Sequence, residues 1–192
     1  MGDFEEKIGL ELESIRGSGL WRELRCIESV QGSQIYHNGK KLINFSSNDY
    51  LGLAGHHTLT EAAKHAIDRF GVGSGASRLV CGSLEVHHEL EEALARWLKA
   101  EAALVFSSGF AAAQGVISSI VGSEDVVVID KKVHASTVDA VKLSGAKLRV
   151  FKHNDLSSLE KILKWADKRN SRVLTIAESV YSMDGDSPVI ED

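Results

Sequence analysis

The sequence predicts an α/β fold in which a helix and a β-hairpin lead into a mostly parallel sheet covered by helices on each side. Short, nearly continuous apolar runs, "ALVF" (103–106), "DVVVID" (125–130), "KLRVFK" (147–152) and "RVLTIA" (172–177), alternate with windows of helical periodicity. Strands apolar on both faces and separated by helices belong to parallel sheets, because the crossover helices bury both sides. The first third of the chain has a different pattern, and it is read as an appendage.

Taken in order, Phe4, Ile8, Leu12 and Ile15 recur at helical spacing and predict an opening helix that ends at Gly17. In "SQIYHNGKKLINF", Asn38-Gly39 separates two alternating runs, the signature of a hairpin with a type I′ turn. These elements make an N-terminal segment, 1–57, ahead of a larger unit, 58–192. The larger unit opens with a helix carrying Ala63, Ile67 and Phe70 and stopping at Gly71, followed by one carrying Leu90, Leu94, Trp97 and Leu98. Further helices are predicted over 110–121, 135–143 and 156–166, with Asn154 and Asp155 as N-cap candidates for the last. The chain stops just after its fourth predicted strand, so the sheet is expected to be truncated, with an open edge.

Composition narrows the function classes. The chain has 192 residues, 43% of them hydrophobic and 26% charged, which is ordinary for a globular protein. A net charge of −5 and scattered basic residues give no footprint for nucleic acid. No run approaches the roughly 18 apolar residues of a membrane helix, and the acidic start "MGDFEEKIGL" lacks a signal-peptide pattern, so a cytosolic protein is expected. Cys26 and Cys81 fit no metal spacing and are read as buried thiols.

In parallel sheets, ligands sit outside the carboxyl ends of the strands. Those ends carry "SSGF", "DKKVHAS", "KHND" and "ESVYSMDGD". At "SSGF" a strand would hand over to a helix, leaving free backbone amides and a helix dipole that suit an anion; Ser107, Ser108 and Gly109 also suit an ordinary cap and turn. The glycines of "GVGSGASRLVCG" (71–82) follow no predicted strand, which argues against a dinucleotide loop. His87 and His88 in "HHELEE" match no zinc spacing, and no metal is expected.

The segments "NFSSNDYLGL" (44–53), "GVGSGASRLVCG", "HHELEEALARWL" (87–98), "SSGFAA" (107–112), "DKKVHAS" (130–136), "HND" (153–155) and "ESVYSMDGD" (178–186), in this order, closely resemble the α-oxoamine synthases. These are enzymes of the aspartate-aminotransferase-like fold type I that use pyridoxal 5′-phosphate. The resemblance implies that 58–192 is an incomplete cofactor-binding large domain.

It also implies roles. The amides of Gly109 and Phe110, with Ser108, would take the cofactor phosphate. His134 would lie over the pyridine ring, touch the amino-acid substrate and act in catalysis. Ser182 would hydrogen-bond near the phenolic oxygen. Arg22 and Asn48 would contact substrate, with Arg25 as the rival for the carboxylate-binding role. Ala113 stands where the family often has Asn.

The "GLWRELR", "SSGFAA" and "SMDGDSP" segments lean towards members that condense a pimeloyl thioester, on CoA or a carrier protein, with L-alanine, acting as homodimers in biotin synthesis. Members using glycine and acetyl-CoA are the alternative, and a non-catalytic phosphate-binding fragment is a third reading. The family's cofactor-anchoring lysine and its Asp-x-x-His pair have no counterpart here; Lys142, Lys147 and Lys152 lie in other contexts. The 192 residues alone are therefore expected to be inactive.

Overall fold

In the computed structural model, which describes residues 2–169 and 171–188, the opening helix α1 spans Gly2–Gly17. Its stripe of Phe4, Ile8, Leu12 and Ile15 forms at the expected spacing and stays exposed. The hairpin follows as β1 (Gln34–His37) and β2 (Lys40–Ile43), paired antiparallel with His37 opposite Lys40. Asn38 and Gly39 both take positive φ, 51° and 67°, as a type I′ turn requires. The Glu28 carboxylate accepts hydrogen bonds from the turn amides of Asn38 (3.0 Å) and Gly39 (3.1 Å), so a charge outside the hairpin holds its tip.

Helix α2 (His57–Phe70) is capped by the His56 side chain at its start and by Gly71, with φ 76°, at its end. The chain then turns tightly, with Gly82 donating to the Ser77 carbonyl at 3.0 Å. A Cβ at Gly82 would run into the Ala76 carbonyl group, so this turn needs glycine. By compactness the chain divides into two units, Met1–Leu84 and Glu85–Asp192. The first thus takes in α2 and the glycine-rich turn as well as the residues 1–57 set apart in the sequence.

The second unit is an α/β sandwich built on one central strand. After α3 (Glu85–Leu98) come α4 (Gly109–Ile120), β3 (Val126–Asp130), α5 (Ala135–Ser144), β4 (Lys147–Phe151), α6 (Leu156–Asp167) and β5 (Val173–Ile176). The sheet order is β4-β3-β5 and both pairings are parallel. Every residue of β3 is buried. Val127 and Ile129 pack with Ile117 of α4 and Ala140 and Val141 of α5. Val126 and Val128 point the other way, against Phe151 of β4 and Ala166 of α6. This is the doubly covered sheet that the continuous apolar run predicts.

Two expectations need correction. Residues 103–106 do not form a strand. The described residues offer them no ladder partner, and the Val105 amide donates instead to the Glu91 carboxylate at 2.9 Å, so the observed sheet has three strands. Apolar character alone cannot supply a neighbouring strand. Cys26 and Cys81 are both free and exposed rather than buried.

Candidate active site

Because β3, β4 and β5 are parallel, their carboxyl ends share one edge, and the polar segments that follow them meet there. Asp130, the last residue of β3, is fully buried. Its Oδ1 accepts from the Lys132 amide (2.8 Å) and from His153 Nδ1 (2.9 Å), and its Oδ2 accepts from the Asn154 amide (3.0 Å). Burial by itself would raise the Asp130 pKa, but the donors from Lys132, Asn154 and His153 outweigh it and hold the carboxyl below its ordinary value. The other ring nitrogen of His153, Nε2, meets Asp186 Oδ2 at 2.8 Å. Asp130 first, and then Asp186, lift the His153 pKa above the usual imidazole value.

His134 caps α5, its Nδ1 accepting from the Ser136 amide at 3.2 Å. Nδ1 is therefore the unprotonated nitrogen, and in the neutral ring Nε2 carries the proton. The His134 backbone amide donates to the Glu178 carboxylate. His134 is an exposed residue whose ring is oriented through Nδ1 by the Ser136 amide and hydroxyl. Ser182 lies four residues beyond Glu178, in an exposed turn closed by Gly185 N to Tyr181 O at 2.8 Å.

Helix α4 presents a second helix start. Ser108, in extended conformation, is the N-cap, and its Oγ accepts from the Ala111 amide at 3.1 Å. The first helical backbone bond runs from Ala112 N to Ser108 O at 3.0 Å, which leaves the amides of Gly109 and Phe110 ahead of it. A Cβ built on Gly109 meets nothing within 4 Å, so there is open space on its side-chain side. Open amides at a positive helix end fit a phosphate group, and an exposed, oriented imidazole fits a flat ring. Ala113, on this helix, packs against the apolar core.

Arg22 and Asn48 lie in the first unit. Arg22 lines an open recess with Trp21, Arg25, His37 and Asn38, its Nη1 donating to the Trp21 carbonyl at 3.3 Å. Asn48 is exposed and accepts from the Tyr50 hydroxyl at 3.3 Å. The second unit holds Ser108, Gly109, Phe110, His134 and Ser182.

Sequence reasoning assigned no role to Asp130, His153, Glu178 or Asp186, although all four stand in the segments quoted above. The legible signal was a carboxylate closing a buried apolar strand, since a buried charge requires partners. His153, Asp184 and Asp186 place potential metal-ligand atoms within 4.8 Å of one another. Their charge is balanced internally, because both His153 nitrogens face carboxylates and Lys132 Nζ stands 2.5 Å from Asp184.

Residues 40–192 match the family of aminotransferases class I and II. The chain belongs to that family. Among curated relatives of this class I and II chain, it is 46% identical over 94% of its length to an 8-amino-7-oxononanoate synthase of Geotalea daltonii, covering 46% of that protein. It is 48% identical over 92% of its length to the enzyme of the same name from Geobacter sulfurreducens, covering 45% of it. A serine palmitoyltransferase from S. paucimobilis, solved with a bound PLP–myriocin aldimine, superposes with a TM-score of 0.86 at 30% identity, over 98% of this chain and 47% of that one. The chain spans about half the length of the curated relatives it matches. The α-oxoamine synthase likeness and the fold type I architecture read from the motifs are borne out. No helix among the described residues is long and apolar enough to cross a membrane.

Proposed function

We propose that the protein carrying this chain condenses a pimeloyl thioester, on CoA or a carrier protein, with L-alanine. The products are 8-amino-7-oxononanoate, CO2 and the free thiol, in biotin synthesis. The observation that supports this reading is the 46% and 48% identity, over more than nine-tenths of the chain, to relatives named 8-amino-7-oxononanoate synthase.

Pyridoxal 5′-phosphate, when bound, supplies the electron sink through which the amino acid loses its α-proton and its carboxylate. The amides of Gly109 and Phe110 would hold the phosphate at the start of α4, with Ser108 keeping the first turn in place. His134 would meet the pyridine ring and, with Nε2 protonated in the neutral imidazole, would present a donor towards substrate. Ser182 would donate to the phenolic oxygen. Arg22 offers its guanidinium fork to a carboxylate on the acyl substrate and Asn48 adds a polar contact. A homodimer and a cytosolic setting complete the reading, the latter in keeping with two free cysteines.

The test is thiol release by the full-length protein with pyridoxal 5′-phosphate present. Alanine with pimeloyl-CoA is expected to turn over fastest; faster turnover of glycine with acetyl-CoA, or of serine with palmitoyl-CoA, overturns the reading. Replacing His134 with Ala should lower kcat/KM by about a hundredfold or more.

A further inference from the structure

The segment from Glu178 to Ser187 carries Ser182 and, through Glu178, the amide of His134. Ser182 and Met183 are exposed, and the internal bonds are turn bonds, Tyr181 N to Asp186 O (2.9 Å) and Gly185 N to Tyr181 O (2.8 Å). Side chains tie this loop to the sheet. His153 bridges Asp130 and Asp186, and Asn154 Nδ2 donates to Asp186 Oδ2 (2.9 Å) and to the Ser187 carbonyl (3.3 Å). Lys132 reaches Asp184, and the Tyr181 ring meets the His153 ring edge-to-face at 4.6 Å.

We propose that His153 is a positioning residue: as imidazolium it clamps the 178–187 loop to the carboxyl ends of β3 and β4, and so sets Ser182 and the Glu178-held His134. A neutral imidazole has one N–H and can donate to only one of its two carboxylates. Asp130 is fully buried and takes further donors from two backbone amides, whereas Asp186 is partly exposed, so the remaining proton stays on Nδ1 facing Asp130. Nε2 then turns a lone pair towards Asp186, and the loop side of the clamp opens. The charged and titratable groups facing His153 are Asp130 from β3 and Asp184, Asp186 and Tyr181 from the loop, with Lys132 paired to Asp184 beside them. The direction follows: the clamp is closed below the raised folded-state pKa of His153 and is lost as pH rises through it.

The inference depends on the proposed function only in calling Ser182 and His134 site residues. It is tested by amide hydrogen exchange on the full-length protein between about pH 5.5 and about pH 8.5, corrected for intrinsic rates, alongside direct binding of pyridoxal 5′-phosphate. The Tyr181 and Gly185 amides should lose about tenfold or more of their protection across that range, while Val127 and Val128 in β3 stay protected. In His153→Gln the loop amides should exchange fast at every pH and cofactor affinity should fall, with β3 unchanged. Asp186→Ala removes the acceptor of the loop side, leaves the Asp130 half of the clamp in place and should show the same loop loosening, which keeps the test decisive should the glutamine variant not fold. Loop protection that is flat with pH in the unmodified protein, or intact in both variants, overturns the proposal. Failure of the unmodified protein to bind pyridoxal 5′-phosphate overturns the site reading separately, since exchange is read without the cofactor.

Discussion

Arg172 grips Asp125 through a two-point ion pair, Nε to Oδ1 at 2.9 Å and Nη2 to Oδ2 at 2.7 Å. The pair ties the residue before β5 to the residue before β3, and the backbone bonds Val126 N to Arg172 O and Lys147 N to Asp125 O start the parallel ladder beside it. The Arg172 hydrogen bond, with the Gly122 amide, holds Asp125 below the ordinary carboxylate value. Its stabilisation is therefore present above the unfolded value near pH 4 and is lost as pH falls through the folded one. Thermal melts should show Arg172→Ala well below the parent at neutral pH and level with it in strong acid. Arg172→Lys should recover only part of the loss, because an ammonium cannot make the fork. An unchanged gap in acid would refute this account.

Gly109 offers a separation of helix from ligand. It is the first residue of α4, where proline fits, and Ser108 before it is extended, as a residue preceding proline should be. Gly109→Pro should leave helix content and Tm near the parent while removing one phosphate donor. The loss of one hydrogen bond to a charged group, about 1.5–3 kcal/mol, corresponds to cofactor binding weaker by about ten- to a hundredfold. Equal affinity by fluorescence titration would move the phosphate elsewhere.

Ile129 lies in the fully buried central strand between α4 and α5. Ile129→Val should cost about 0.5–1.5 kcal/mol in denaturant titration and Ile129→Ala about 2–5 kcal/mol. A smaller alanine effect would mean that the core collapses around the deletion.

Gly82 should tolerate no side chain. Gly82→Ala places a methyl group against backbone, which cannot swing aside as a side chain would. Limited proteolysis is expected to find new cleavage between residues 71 and 84, with the β3–β5 sheet unaffected.

Much of this was legible in the order of residues. The hairpin turn followed from Asn38-Gly39, because few other pairs accept two successive positive φ values. Both covered faces of the sheet followed from the unbroken run Val126 to Ile129, since such a run has no polar face to give to water. Helix starts at Ser108 and Asp155 followed from side chains that cap free amides. These signals act over a few residues, so sequence spacing contains them.

The partners were not legible. Residues 103–106 are as apolar as a strand, yet strand formation depends on a neighbour's free N–H and C=O groups, and the Val105 amide found Glu91 instead. His153 was quoted in a motif without a role, because its meaning lies in Asp130, 23 residues earlier, and Asp186, 33 residues later. Local propensity and the family motifs were determined by the sequence alone. Which buried charge meets which proton was decided only when three parallel strands brought their carboxyl ends to one edge, where desolvation makes each unpaired charge costly.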